Sequence, residues 1–194
     1  MKKLLSYLIV ILSAGQVHAA ASDGSFAVDG PGSQTCSFFV DALETGDQNA
    51  GIAFAAWSQG FITAVNVFEE DTYDVTPWQT VDLLMAKLRA YCNANPDVPY
   101  INALGALVST LKSERLREAS ELVQARVDGS AVTIPAEVLA RIRDQLEQSV
   151  LGEMGTEPNG FDLEFAERLK AFQRENGLTE SGLPDQNTLN RLFP

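Results

Sequence analysis

The chain has 194 residues, 45% of them hydrophobic, and its 26 acidic side chains outnumber 14 basic ones for a formal net charge of −12. That balance excludes nucleic acid as a partner, because phosphate binding needs clustered lysine and arginine. The only histidine is His18, which bears on every mechanism that uses an imidazole base or ligand.

Lys2 and Lys3 precede an apolar run from Leu4 to Leu12, and Val17-His18-Ala19 has the small-x-small form of a signal peptidase site. These features read as a secretory signal peptide over residues 1–19, cleaved after Ala19 or Ala21. The apolar run is about half the ~20 residues of a membrane-spanning helix. No cysteine follows either cleavage point to accept a lipid, so the expected product is soluble and periplasmic, with no membrane span after signal cleavage. His18 leaves with the signal, and the mature chain can then assemble neither a Ser-His-Asp or Cys-His hydrolase nor a histidine-ligated zinc site. A phosphate-binding glycine loop and a C-x-x-C pair are also missing. The chain is therefore expected to be non-catalytic, with no cofactor and no metal.

Residues 20–34, which contain Gly, Ser and Pro, read as a flexible leader. Cys36 and Cys92 are the two cysteines, and an even count in an exported chain points to a disulfide, two free buried thiols being the rival reading. Phe54, Trp57, Phe61, Ala64, Val65 and Phe68 recur at helical spacing and predict a helix from about Asn49 to Glu70 with these residues inside. Gly60 interrupts its interior at a cost of about 1 kcal/mol relative to alanine, which suggests close contact with another helix there. The acidic patch Glu69-Glu70-Asp71 with Asp74 reads as a solvated helix end, since the glycine turn and ligand spacing of a calcium loop are absent. Thr76-Pro77 signals a second helix, an N-cap followed by proline at the first position, carrying Trp78, Val81, Leu84, Met85, Leu88 and Tyr91 toward the same core. Asn95-Pro96 stops it. Pro99 opens a third helix with Ile101, Leu104, Val108 and Leu111, and a charged amphipathic continuation is expected to run to Arg126 before the Asp128-Gly129 turn.

Cys36, the Trp57-Ser58-Gln59-Gly60-Phe61 stretch with Asn66, and Tyr91-Cys92-Asn93-Ala94-Asn95-Pro96 with the apolar helix after it resemble small periplasmic proteins of the HdeA/HdeB-like type. The resemblance spans Thr35 to Leu111 and makes 35–127 a helical HdeA-like domain. It implies an alternative function, an acid-stress chaperone or interaction protein whose partners are unfolded or envelope proteins.

After a linker at 128–134, Pro135 is expected to start a helix bearing Val138, Leu139, Ile142, Leu146 and Val150. A polar loop leads to Phe161, a helix presents Phe165, Leu169 and Phe172, and Asn176-Gly177 closes it as a C-cap does. Gly182-Leu183-Pro184 turns the chain, and Asp185 caps a last helix holding Leu189 and Leu192. The fold class expected for the whole is all-α, two small helical bundles of which the first is clamped by a disulfide.

The run Leu169-Lys170-Ala171-Phe172-Gln173-Arg174-Glu175-Asn176-Gly177-Leu178, then Gly182-Leu183-Pro184-Asp185 and Thr188-Leu189, resembles the peptidoglycan-binding-like family, whose repeats read Leu-x-x-Phe-Gln-x-x-x-Gly-Leu, a Gly turn, then Thr-x-x-x-Leu. Pro184-Asp185 stands where many members have Gly-Pro. The resemblance covers residues 135–194 and implies a three-helix domain with peptidoglycan as its partner. Within it Phe172, Leu178 and Leu189 have the spacing of interior residues. Gln173, Asn176, Asp185, Thr188 and Asn190 offer donors and acceptors for the peptide amides and sugar hydroxyls of murein. Arg174 and Arg191 suit stem-peptide carboxylates.

Overall fold

The Thr35 hydroxyl accepts from the Phe38 amide at 3.3 Å and so caps a first helix, α1, Cys36–Glu44. Asp47 caps α2, Gln48–Phe68, through the Ala50 amide at 3.1 Å. In the computed structural model, which describes residues 21, 23–149 and 160–194, these helices pack with α3, Val81–Ala94, and α4, Tyr100–Leu111, around a first core. The expected signal peptide at 1–19 and residues 150–159, among them Val150 of the expected helix, lie outside the described residues.

At the centre of this core the rings of Phe39, Phe54 and Tyr100 meet pairwise, with centroids 4.9, 4.8 and 4.7 Å apart in tilted and edge-on contacts that suit aromatic quadrupoles. The buried Tyr100 hydroxyl is matched by Ser58 Oγ at 2.8 Å. Cys36 and Cys92 are both fully buried and are joined in a disulfide, with Cα atoms 4.8 Å apart. The bridge ties the start of α1 to the end of α3, and by loop entropy it contributes on the order of 4 kcal/mol. It settles the choice between bridged and free thiols, since neither cysteine is free.

Several expectations are corrected. The leader is structured at its end: Gly30–Ser33 forms a 3-10 turn laid on Trp57, so close that a Cβ on Gly32 would fall 2.1 Å from the indole. On α2, Phe54 is buried and Trp57, Phe61 and Val65 are partly so, but Ala64 is exposed and Phe68 is 81% exposed, because the helix is covered on one side alone. The N-cap of α3 is Thr80, not Thr76. Asp74 Oδ1 accepts from the Thr76 amide at 2.9 Å and holds the residues before α3 in a turn. Tyr91, expected inward, is 39% exposed.

The all-α expectation fails at the middle of the chain. After a 3-10 turn at Lys112–Glu114 the expected helical continuation gives way to a hairpin, β1 Leu122–Val127 and β2 Ser130–Pro135, antiparallel with Val123 opposite Ile134 and Val127 opposite Ser130. Asp128 and Gly129 form its two-residue loop with φ of 48° and 84°. Positive φ at both positions is what a type I′ hairpin turn requires, and Asp-Gly is among the pairs that supply it. Burial alternates, with Ala125 and Ile134 inward, as a pleated ribbon on a core demands. The stretch at 128–134 is thus a turn and a strand rather than a linker, and Pro135 ends β2 instead of starting a helix.

A second core follows. Val138, Leu139, Ile142 and Leu146 on α5 (Ala136–Ser149), Phe165 and Leu169 on α6 (Leu163–Glu175), and Leu189 on α7 (Gln186–Leu192) are buried together. Three members precede α5: Ile134 of β2, Leu116 before the hairpin and, contrary to expectation, Trp78. The Trp78 ring lies 6.0 Å from that of Phe193. Gln186 secures the approach, accepting from the Thr80 amide at 2.9 Å and donating to the Trp78 carbonyl. Leu116 pairs with Asp74 as a one-residue bridge, and Arg141 of α5 donates to the carbonyls of Glu114 and Arg115. The two cores are therefore docked through defined polar contacts as well as through apolar area.

Removing the indole leaves a hole in the second core and frees the segment before α3. Trp78→Ala is expected to destabilise the protein by about 3–5 kcal/mol. Urea unfolding of the variant beside the parent measures this, and a loss below ~1 kcal/mol would contradict the placement of Trp78 in the second core.

Candidate functional site

Asp162 caps α6 by accepting from the Phe165 amide at 2.8 Å, and the helix ends at Asn176, followed by Gly177 at a φ of 67°. The chain returns through a loop whose Gly182 also has positive φ, 66°, and where a Cβ would lie 3.0 Å from Lys170 Cε and 3.1 Å from the Ala166 carbonyl. Glycine is thus required there twice over, by conformation and by space. Asp185 then caps α7 through the Thr188 amide at 2.9 Å.

Three of the residues expected to contact ligand turn inward instead. Gln173 is fully buried and makes four side-chain hydrogen bonds: Nε2 donates to Ser181 Oγ at 3.0 Å, the Leu183 carbonyl at 3.0 Å and Thr188 Oγ1 at 2.9 Å, and Oε1 accepts from the Gly182 amide at 2.8 Å. Thr188, also fully buried, donates from Oγ1 to Asp185 Oδ1 at 2.9 Å. Asp185 Oδ2 accepts from Ser181 Oγ at 2.9 Å. This closed network fastens α6 to the returning loop and to α7, and leaves Gln173 and Thr188 no reach toward a ligand. Their role is to hold the module in shape.

The other four lie at the surface. Arg174 is exposed and paired with Glu180 at 2.7 and 3.1 Å. The guanidinium's hydrogen bond holds the Glu180 carboxyl below the usual carboxylate range, while both groups are open to solvent, so the pair adds little to stability. Asn176 donates from Nδ2 to the Phe172 carbonyl at 2.9 Å and accepts on Oδ1 from Arg191 Nε at 2.8 Å. Asn190 and Arg191 line a surface crevice of about 470 Å³ together with Asn187, Leu178 and Pro194. Asn190 Oδ1 is buried and has no hydrogen-bond partner among the described residues. A buried acceptor without a donor costs on the order of 1–3 kcal/mol.

The crevice thus combines carboxamides, one guanidinium held in place by Asn176, and an apolar wall. Leu178, expected inside, is half-buried on that wall, while Phe172 packs on the second core with Leu189. Asn187 was not anticipated, although it sits three and four positions before Asn190 and Arg191 and so shares their face of α7. The carboxamides of Asn187 and Asn190 and the guanidinium of Arg191 equip the lining to hold amide, hydroxyl and carboxylate groups. The acidic patch after α2 is engaged elsewhere, Glu69 with Lys112 at 2.8 Å and Asp71 with Arg117 at 3.3 Å.

Residues 142–192, from the middle of α5 to the end of α7, match the model of a family described as a peptidoglycan binding domain. The matched segment carries half of the buried residues of the second core, the Gln173 network and four of the five crevice residues. Neither a curated protein nor a solved structure matches the chain. Support for the HdeA/HdeB-like resemblance of the first half is absent from these comparisons.

If Gln173 is structural, shortening it strands the Gly182 amide in a closed interior and removes three further hydrogen bonds that tie the loop and α7 to α6. Gln173→Ala is expected to destabilise by about 2–3 kcal/mol, read as a lowered urea midpoint with an unchanged slope. An unaltered midpoint would return Gln173 to the list of ligand contacts.

Proposed function

We propose that this chain is an exported, non-catalytic protein of the periplasm that attaches to peptidoglycan through the crevice beside α7. The observation that carries the reading is the family match at 142–192 falling on the segment that builds this crevice. Murein offers groups that fit this lining: peptide N–H groups and sugar hydroxyls for the carboxamides of Asn187 and Asn190, and stem-peptide carboxylates to pair with Arg191. The matched family is a binding domain, and the absence of histidine after the expected cleavage point supports a role without chemistry of its own. Export is supported by the Lys2-Lys3 and Leu4–Leu12 pattern and by the Cys36–Cys92 bridge, since disulfides persist in oxidising compartments. In this reading the wall is the partner of the second core, and the first core is the part that becomes localised.

The test is co-sedimentation of the mature chain with purified sacculi. The parent protein is expected in the pellet, and the triple substitution Asn187→Ala, Asn190→Ala, Arg191→Ala is expected to weaken retention by about tenfold or more, the loss of some 1.4 kcal/mol or greater, with an unchanged melting temperature. Parent retention no greater than that of an unrelated acidic protein would reject the proposal.

A further inference from the structure

Gln59, Ile62, Thr63 and Asn66 recur three and four residues apart and share one face of α2. They form one wall of a cleft of about 220 Å³, and the segment from Thr76 into α3, with Gln79, Val81 and Leu84, forms the other. A helix face beside a neighbouring helix is ordinarily apolar, yet here buried Ile62 and Leu84 are surrounded by neutral carboxamides and hydroxyls. One of these groups is left over by the fold. Gln79 is 8% exposed, and its Nε2 is buried with no hydrogen-bond partner among the described residues. Its Oε1 accepts from the Trp78 amide at 3.4 Å. The backbone on either side is held, because Gln186 engages the Trp78 carbonyl and the Thr80 amide. The remaining walls are fixed as well. Asn66 Oδ1 accepts from the Val75 amide at 3.0 Å, Thr63 Oγ1 donates to the Gln59 carbonyl at 2.8 Å, and Thr76 Oγ1 donates to Asp74 Oδ1 at 3.3 Å. Both hydroxyls thus direct their protons into the protein and keep lone pairs for an incoming donor.

We infer that this cleft binds one ring of a neutral saccharide, with Gln79 Nε2 donating to a ring-substituent oxygen and Thr63 and Thr76 accepting from hydroxyls. A sugar hydroxyl donates and accepts at once, which matches a lining of carboxamides and hydroxyls, while the C–H face of the ring suits Ile62 and Leu84. The terminal torsion of a glutamine is broad, so the Gln79 amide turns to meet an acceptor in the cleft at small cost. Any occupant replaces water at these groups, and one that does not reproduce water's hydrogen bonds loses affinity. That selects a polyhydroxylated ligand over an apolar side chain. The uncharged lining also disfavours the ionised ends of an amino acid, since desolvating a charge without a partner is costly. In size the cleft falls below the roughly 300–1,000 Å³ of sites that enclose drug-sized ligands, which fits a single ring rather than a run of peptide. Its residues are distinct from those of the α7 crevice, so the inference does not rest on wall attachment.

Amide NMR of the mature chain, titrated with glucose and with N-acetylglucosamine, tests it directly. Shifts are expected at the Gln79 side-chain amide and at the backbone amides of Thr63 and Thr76, with a dissociation constant of about 1–10 mM. Gln79→Leu, which keeps the bulk of the side chain and removes its donor, is expected to weaken binding by about tenfold. Thr63→Val, at an exposed position where the fold is not at stake, is expected to weaken it by about threefold. A preference for N-acetylglucosamine assigns the ligand to a wall glycan and a preference for glucose to a free sugar, and either supports the site. No shift at about 50 mM of both sugars, shifts confined to Asn187, Asn190 and Arg191, parent-like affinity in both variants, or binding of N-acetylglycinamide as tight as that of the sugars would each overturn the inference.

Discussion

The indole of Trp78 belongs by sequence to the approach of α3 and by packing to the second core. A side chain of this size can bury 150–250 Å² of surface, but apolar burial has no direction of its own. Direction comes from Gln186, whose amide engages the Trp78 carbonyl and the Thr80 amide on either side of Gln79. That pair of hydrogen bonds fixes where α7 begins relative to α3. The far end of α3 is fixed in turn by the bridge from Cys92 to Cys36. One helix thus connects the disulfide-clamped bundle to the module that carries the crevice, and the placement of α7 is referenced to the first core.

Periodicity and capping made much of this architecture legible beforehand. The stripes on α2, α4, α5 and α6 repeat at helical spacing, and Asp185 and Gly177 mark boundaries that a local hydrogen bond or a positive φ enforces. What stayed hidden was not local. Helix α1 spans only nine residues, too few to display a stripe. The strand Leu122–Val127 reads equally well as an amphipathic helix, because six residues with one arginine fit either period. Its better signal was Asp128-Gly129 followed by Val132, Thr133 and Ile134, a hairpin loop next to β-branched residues. No pattern along the chain could reveal that Trp78 leaves its own bundle, because the choice between two apolar environments is made by tertiary packing.

The candidate site divides in the same way. The motif containing Gln173 and Thr188 was visible, yet spacing cannot say whether an amide faces solvent or a neighbouring loop. In this fold the Gly182 turn folds back over Gln173, and the most recognisable polar residues of the motif become its internal fastening. The polar lining of the crevice lies on the outer side of α7, where Asn187, Asn190 and Arg191 share a face that Leu189 anchors from within. Asn176 contributes indirectly, by holding Arg191 at the rim.

The sharing of Trp78 and Leu116 across the hairpin has a bearing on how this module could be dissected or exchanged. A fragment excised at Pro135 would keep its three helices and its glycine turn but would lack three of the residues buried at its centre, Trp78, Leu116 and Ile134. Its interior would hold an unfilled space and its α7 would lose the partner of Gln186. The smallest self-sufficient unit therefore reaches back past the hairpin to the residues before α3, and grafting the bare C-terminal segment onto another protein would transfer the recognition face without the support that shapes it.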